Sequence, residues 1–152
     1  MEVPVIAITM GDPAGVGPEI IVKTLLKNSG ERNYNPLVVG ERRYIERAAR
    51  ACSLSPKLLE IKNPQDIRNV SAGEIFIHDP LEGRYNNLQE TIVPFGKIDP
   101  HAGKAAYSYI EKAVELCQRG IACAIATAPI HKESLKAAEV PYIGHTEIFG
   151  GL

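Results

Sequence analysis

Short apolar stretches alternate along this chain with longer segments in which apolar residues recur every three or four positions. The short stretches are rich in β-branched residues and are bounded by glycine, proline or polar residues, which is typical of buried strands. They predict strands at residues 3–9, 36–39, 57–61, 74–78 and 122–126. The longer segments predict helices between these strands.

Three of the predicted helices have a clear apolar face. The first begins at Pro18, which fits a first helical turn because its missing N–H has no partner there, and it ends at residues 28–30. The second covers residues 41–51, and the third is a long amphipathic helix that starts near His101 and closes at Gly120. The predicted inward faces are Ile20, Ile21, Thr24 and Leu25 in the first helix, Tyr44, Ile45, Ala48 and Ala49 in the second, and Ala102, Ala105, Ala106, Tyr109, Ile110, Ala113 and Cys117 in the third.

The remaining segments complete an alternating pattern. A short helix is expected to run through Leu135, and another to begin close to Leu152. Residues 79–96 show no convincing period and predict a long loop, either functional or an arm on the surface. Strands that alternate with helices indicate an α/β layered fold with a largely parallel sheet, in which ligands gather at the carboxyl ends of the strands. We find no internal repeat, low-complexity tract or linker that would mark a domain boundary.

Length and composition restrict the class of protein. The 152 residues suffice for one domain with a real core, and the apolar fraction of 45% and charged fraction of 23% are those of a soluble globular protein. The net charge of −1 and the scattered basic residues give no indication of a nucleic-acid surface. The first residues lack a basic region and a cleavage site, and their apolar stretch is too short to span a bilayer. We therefore expect a cytoplasmic protein with no membrane partner.

The cysteines and histidines show no metal-binding spacing. The three cysteines contain no CxxC pair, so neither a disulfide framework nor a thiolate metal site is indicated, and we interpret Cys52, Cys117 and Cys123 as small buried hydrophobic residues. The four histidines, His78, His101, His131 and His145, are far apart and form no HxxxH or HExxH motif. No metal centre is expected from this chain alone.

The first candidate for chemistry is the glycine-rich loop Gly11–Gly17, between the first strand and the first helix. Its glycines follow the pattern G-x-x-x-G-x-G, so it is not the G-x-G-x-x-G of a Rossmann fold, and no Gly-Lys-Ser/Thr follows as in a P-loop. Glycines and a proline-led helix start allow a ligand to approach the backbone. The same residues also suit a tight strand-to-helix corner, and both interpretations stay open.

Two further motifs carry polar side chains. Thr127 lies at the end of a predicted strand and Lys132 at the start of the following helix, and together they are suited to bind an anionic group. A lone lysine at such a position is, however, more often a solvated residue. His131, between Thr127 and Lys132, is equally well explained as a helix-start residue. His145 and Thr146 lie side by side and are able to hold a phosphate or a hydroxyl, but such a pair taken alone is more often structural.

Taken together, the motifs indicate a family. MGDPAGVGPEI, ATAPIHKESL and PYIGHTEIF, in this order and spacing, resemble the 4-hydroxythreonine-4-phosphate dehydrogenase family of vitamin B6 biosynthesis, as does the helix DPHAGKAAYSYIEKAVEL. The resemblance implies the fold of the isocitrate/isopropylmalate dehydrogenase group. It also implies that residues 1–152 are the N-terminal portion of a longer two-domain dehydrogenase, within which we assign no boundary.

The resemblance further implies an activity. Family members use NAD, or NADP, to oxidise the C3 hydroxyl of 4-phosphooxy-L-threonine, and decarboxylation then gives 3-amino-2-oxopropyl phosphate. A divalent metal such as zinc, magnesium or cobalt is bound at a homodimer interface, and its histidine ligands correspond to no position before Leu152. His145 and Thr146 match the family's substrate-binding pair. We expect the 152-residue chain alone to be inactive.

Two alternatives remain. Related enzymes oxidise phosphorylated four-carbon sugar acids, such as threonate and erythronate phosphates, or aromatic cis-dihydrodiols. His131, where some of the sugar-acid relatives carry asparagine, favours the B6 enzyme. The other alternative is a metabolite-binding module without catalysis, for which the lack of a metal site in the chain is the argument.

Overall fold

Five parallel strands form one sheet in the computed structural model, which describes residues 3–27, 32–82 and 92–152. The order across the sheet is β3-β4-β2-β1-β5. The strands are β1 (Val5–Thr9), β2 (Asn35–Val39), β3 (Lys57–Glu60), β4 (Glu74–His78) and β5 (Ala124–Thr127). The α/β fold with a parallel sheet is confirmed, and the carboxyl ends of all five strands point to one edge.

The first four helices lie close to their predicted positions, whereas the last one begins at His145, earlier than the predicted start close to Leu152. The helices are α1 (Gly17–Lys27), α2 (Arg42–Ala51), α3 (Pro100–Gln118), α4 (Lys132–Ala137) and α5 (His145–Gly151), with a 3₁₀ turn at Pro64–Asp66. Asp99 caps α3, because its Oδ1 accepts hydrogen bonds from the amides of His101 and Ala102 at 2.7 and 3.3 Å. The predicted stop of the first helix at residues 28–30 lies outside the described residues, as do residues 83–91 of the predicted loop.

The order of the strands defines where a ligand crevice forms. From β1 the chain winds through β2 to the β3 edge, whereas α3 carries it from β4 back across the sheet to β5, on the other side of β1. Right-handed crossovers therefore place α1 and α2 on one face and α3 on the other. After β1 the chain leads to α1 on one face, and after β5 it leads to α4, which packs on α3 at the other face. Such a switch point is where parallel α/β sheets bind ligands.

The core lies on both faces of the central strands. Every residue of β2 and of β4 is buried, as expected for parallel strands covered by helices on two sides. α3 packs on β1, β2 and β5, and its buried face includes the fully buried Tyr109 and Leu116. A Cβ atom on Gly103 would lie 2.0 Å from the Ser134 carbonyl oxygen, so this glycine allows α4 to pack directly against α3. α4 is thereby held beside the end of β5.

Some details of the sequence prediction are wrong. Ile20 is 43% exposed and Thr24 is also exposed, because the inward side of α1 is centred on Ile21 and Leu25 and continues through Val22. β5 begins at Ala124, two residues later than predicted, because the amides of Ile121 and Ala122 bond back to the carbonyl of Leu116. Most residues of β5 are exposed.

The cysteines differ from the prediction of small buried residues. Cys52 and Cys117 are half-buried and Cys123 is exposed, because Cys123 lies in the turn that leads into β5 at the side of the sheet. Within the described part of the chain, no helix has the length and apolar character needed to cross a membrane.

Candidate ligand site at the carboxyl ends of β1 and β5

The loops that follow β1 and β5 are bonded directly to each other. The Asp12 amide donates to the Pro129 carbonyl oxygen at 2.9 Å, and the Ala128 amide donates to the Thr9 carbonyl oxygen at 3.0 Å. Gly11 makes this approach possible: its φ is +73°, and a Cβ there would lie 2.3 Å from the Pro129 oxygen. The glycine loop and the 126–132 motif therefore form one surface.

The first half of the glycine loop is a self-contained corner. The Ala14 amide donates to Asp12 Oδ1 at 2.7 Å, and the Gly15 amide donates to the Asp12 carbonyl oxygen at 2.9 Å. Gly17 packs closely as well, since a Cβ there would lie 2.2 Å from the Met10 carbonyl oxygen and 3.1 Å from the Ala128 Cβ. The corner interpretation thus accounts for Gly11, Gly17 and the buried carboxylate of Asp12.

The second half of the loop is open to solvent. Gly15 is half-buried and Val16 is 51% exposed, immediately before α1 begins at Gly17. α1 is eleven residues long, so the positive end of its dipole lies at this exposed backbone, where the first-turn carboxylate of Glu19 partly offsets it. The loop is therefore a structural corner whose exit remains accessible to a ligand.

The third motif joins the same surface through His145. This residue opens α5 and lies against Ala128: burial lowers the pKa of its imidazole, and a hydrogen-bonding contact with the Ala128 backbone partly opposes that shift. Its ring stacks on Phe149 with 6.4 Å between centroids. The buried Nε2 atom has no hydrogen-bond partner among the described residues. A buried nitrogen without a partner is unsatisfied, which makes His145 a candidate for bonding a polar ligand group.

The other polar residues of the motifs lie on the surface. Thr146, Thr127, His131 and Lys132 are all exposed. His131 precedes α4 without capping it through its side chain, and Lys132 is the first residue of this six-residue helix. This placement agrees with the solvated interpretation of Lys132 and leaves all four side chains accessible to solvent.

The histidines do not assemble into a metal centre. His78 Nδ1 is within 3.0 Å of the Ile61 carbonyl oxygen at the end of β4, and burial lowers the pKa of its imidazole. Among the residues that the structure describes, no group of three or more histidine, cysteine, aspartate or glutamate side chains could hold a metal ion.

Two acidic residues at the neighbouring strand ends, the buried Glu41 and the half-buried Asp79, were missed from the sequence. Glu41 follows β2, and its Oε1 accepts a 2.8 Å hydrogen bond from the hydroxyl of the fully buried Tyr109, while its Oε2 lies 2.6 Å from Arg43. Asp79 follows β4, and burial raises its pKa to about 6, with repulsion from Glu41 adding to the shift. The available signal was an acidic residue within two positions of the end of each of these two buried strands.

Comparison with known protein families identifies the chain. Residues 32–152, four-fifths of the sequence, match the family described as pyridoxal phosphate biosynthetic protein PdxA. The chain belongs to the PdxA family. The resemblance inferred from the three motifs is thus confirmed, and with it the isocitrate/isopropylmalate dehydrogenase-like fold, of which this chain covers less than half.

Individual PdxA relatives differ in the names they carry. A Clostridium botulinum protein with the provisional name D-threonate 4-phosphate dehydrogenase is 42% identical over 149 residues, which are 98% of this chain and 43% of that protein. A Trichlorobacter lovleyi 4-hydroxythreonine-4-phosphate dehydrogenase is 41% identical over 149 residues, which again are 98% of this chain and 43% of that protein. The crystal structure of a 4-hydroxythreonine-4-phosphate dehydrogenase from Burkholderia phymatum superimposes with a TM-score of 0.87 at 40% identity, covering 99% of this chain and 44% of that one. The chain spans less than half the length of each.

Proposed function

We propose that this chain is the N-terminal portion of a two-domain dehydrogenase that oxidises a phosphorylated four-carbon hydroxy acid with NAD or NADP. The observation that carries the proposal is the convergence of the glycine loop, the end of β5 and His145 on one surface at the switch point of the sheet. Membership of the PdxA family and the dehydrogenase names of its members support the type of reaction.

His145 and Thr146 are assigned to the substrate. The unpartnered Nε2 of His145 and the exposed hydroxyl of Thr146 are adjacent in sequence at the start of α5 and are able to bind a substrate hydroxyl or phosphate oxygen. Because burial lowers the pKa of His145, we expect the imidazole to be neutral when it binds. The pair then orients the substrate rather than neutralising its charge.

The cofactor is assigned to the exposed exit of the glycine loop. The backbone at Gly15 and Val16, at the amino end of α1, fits a dinucleotide because the backbone is accessible and the helix end is positive. When bound, the nicotinamide accepts a hydride from the substrate carbon. This chain's own contribution is to hold the loop and the substrate pair on the same side of the sheet.

The metal is assigned to the part of the family's length that this chain does not cover. The described residues do not fit a zinc, magnesium or cobalt ion, since they bring no set of ligands together. We propose that the ligands are supplied there, at a homodimer interface of a cytoplasmic enzyme, and we derive no step through the metal. The 152-residue chain is accordingly proposed to be inactive by itself.

The preferred substrate is 4-phosphooxy-L-threonine. Its C3–H leaves as hydride to the nicotinamide while the C3 hydroxyl loses its proton, and the resulting β-keto acid releases carbon dioxide to give 3-amino-2-oxopropyl phosphate. We favour this substrate because of His131, where some sugar-acid relatives carry asparagine; the residue is exposed and directly precedes α4. D-threonate 4-phosphate is the second candidate, because the Clostridium botulinum relative is named for it.

The test is a substrate panel on the full-length enzyme that contains this chain. Reduced nicotinamide is followed at saturating NAD and then NADP with 4-phosphooxy-L-threonine, D-threonate 4-phosphate, D-erythronate 4-phosphate and an aromatic cis-dihydrodiol. We expect the highest kcat/KM with 4-phosphooxy-L-threonine and NAD. A higher kcat/KM with D-threonate 4-phosphate selects the second candidate, and turnover of none of them, with a metal present, refutes the dehydrogenase assignment in favour of a binding module.

A further inference from the structure

Arg47, on α2, bonds to two loops that are far apart in the sequence. Its Nη2 atom donates to the Pro13 carbonyl oxygen in the glycine loop at 2.8 Å. Its Nη1 atom donates to the Val93 carbonyl oxygen in the segment that precedes α3. One guanidinium group therefore connects the corner after β1 to residues 92–96.

Aromatic contacts fix the plane of this guanidinium. Its central carbon lies 3.9 Å from the centroid of the Phe95 ring and 5.0 Å from that of Tyr44. The Tyr44 hydroxyl accepts a hydrogen bond from the Val93 amide at 3.3 Å, so α2 binds the same segment a second time. A planar group that contacts two rings and donates to two carbonyls has little freedom to turn.

The two loops also bond directly. The Gly96 amide donates to the Ala14 carbonyl oxygen at 2.8 Å. Ala14, Val93 and Ala102 form a small buried cluster beneath them. Residues 93–96 thus lie along the outer side of the corner formed by Asp12–Gly15, and Arg47 closes the connection between them.

The Pro13 carbonyl, which accepts the hydrogen bond from Arg47, lies in the middle of the corner. Pro13 lies between Asp12, whose carboxylate and carbonyl accept the bonds of the corner, and Ala14, whose carbonyl binds Gly96. A change in the direction of the Pro13 carbonyl therefore turns the peptide units that lead to Gly15 and Val16. Fixing this carbonyl fixes the backbone that faces the ligand.

We propose that Arg47 is a positioning residue, which holds the glycine loop through Pro13 and residues 93–96 in the conformation that receives the ligand. The ligand part rests on the proposed function above, whereas the link between Arg47 and the loop does not. Lysine is not equivalent to arginine here, because its compact ammonium group lacks the planar fork of donors that reaches both carbonyls and contacts both rings.

The first experiment needs no ligand and separates a local from a general effect. Amide hydrogen exchange is measured in the full-length protein for peptides that cover residues 11–17 and 93–96. The variants are Arg47→Ala and Arg47→Lys, and the control is Arg50→Ala, which removes an exposed arginine of the same helix. We expect about tenfold faster exchange of both peptides in the two Arg47 variants, with β2 and β4 unchanged and Arg50→Ala like the parent. Methylguanidinium at millimolar concentration should restore protection in Arg47→Ala only.

The second experiment measures the consequence for ligand binding. The Kd for NAD and the kinetic constants are compared for the same variants, and we expect Kd and KM to rise about tenfold in Arg47→Ala while kcat changes less than about threefold. Unchanged exchange at residues 11–17, or an equal increase in β2 and β4, overturns the proposal because Arg47 would then be only a general stabiliser. Local loosening with unchanged affinity for NAD supports the link and contradicts the assignment of the loop to the cofactor.

Discussion

The amide of Asp12 and the carbonyl of Pro129 form a 2.9 Å hydrogen bond that joins the loops after β1 and β5. The bond spans more than a hundred residues of sequence and exists because Gly11, with its φ of +73°, has no side chain to separate the two backbones. The ligand surface proposed for this protein is thus built on a contact between two main chains.

Gly11→Ala is expected to break this contact. The new Cβ would lie 2.3 Å from the Pro129 oxygen in a backbone conformation that alanine disfavours, so the free energy of unfolding should fall by roughly 2–5 kcal/mol. Urea unfolding followed by circular dichroism measures it. Gly73→Ala is the matched control, because its φ is +80° but nothing lies within 4 Å of the added Cβ, and it should cost only about 1 kcal/mol. Equal losses in the two variants would contradict the close approach.

Tyr109→Phe is expected to destabilise the fold by about 1–3 kcal/mol, because it removes the hydroxyl that donates to the buried carboxylate of Glu41. A double-mutant cycle with Glu41→Gln should show a coupling energy above about 1 kcal/mol. Tyr107→Phe, two residues earlier on α3 and only half-buried, serves as control and should change stability by less than about 0.5 kcal/mol. Additive effects of Tyr109→Phe and Glu41→Gln would show that the two groups do not depend on each other.

Asp79 should make stability depend on pH. Burial raises its pKa in the folded protein to about 6 from 3.8, so between these values the folded state keeps a proton that the unfolded state has lost. The contribution of Asp79 to the free energy of unfolding is fully present below about pH 4 and is lost as the pH rises to about 6. Because this half-buried group is screened by solvent, we expect the loss to be about 1 kcal/mol. Asp79→Asn keeps an acceptor for the Leu81 amide and should remove this slope.

The measurement is the difference in unfolding free energy between parent and Asp79→Asn from pH 4 to pH 7, in which the titrations of other groups cancel. Glu133→Gln, an exposed change on α4, provides the control and should give a flat difference. A flat difference for Asp79→Asn as well would show that the Asp79 pKa is close to its ordinary value in the folded protein.

In the full-length enzyme, Thr146→Val and His145→Phe are expected to raise KM for the phosphorylated substrate by about tenfold or more, since each removes a hydrogen-bonding group from the substrate surface. Thr146 is exposed, so its substitution should leave the melting temperature unchanged. Exposed Thr127→Val, at the end of β5, tests whether the effect is specific to the pair. An unchanged KM in both variants would remove His145 and Thr146 from the substrate site.

The 152-residue chain alone is expected to give no detectable reduction of NAD with 4-phosphooxy-L-threonine and zinc, magnesium or cobalt, because its described residues assemble no metal site. The full-length enzyme under the same conditions is the positive control. Turnover by the short chain above the rate without protein would show that its own residues suffice for the reaction.

The sequence alone determined the fold class, the order of elements and the family, because these depend on local periodicity and on short contiguous motifs. The inward residues of α2 were predicted correctly, since a helix with only one apolar stripe has one way to face a sheet. On α1, by contrast, Ile20 and Ile21 are adjacent and equally apolar, and only packing decided that Ile21 is buried while Ile20 is exposed.

Only the tertiary structure decided what the polar residues do. The contacts of Asp12 with Pro129, Tyr109 with Glu41, and Arg47 with Pro13 and Val93 each join segments distant in sequence, and no local pattern records them. The motifs around Gly11, Thr127 and His145 each had an ordinary structural explanation when taken separately. Because parallel strands bring their carboxyl ends to one edge, the fold joins the first two motifs, and the contact of His145 with the Ala128 backbone adds the third. That placement turns three ambiguous motifs into one candidate site.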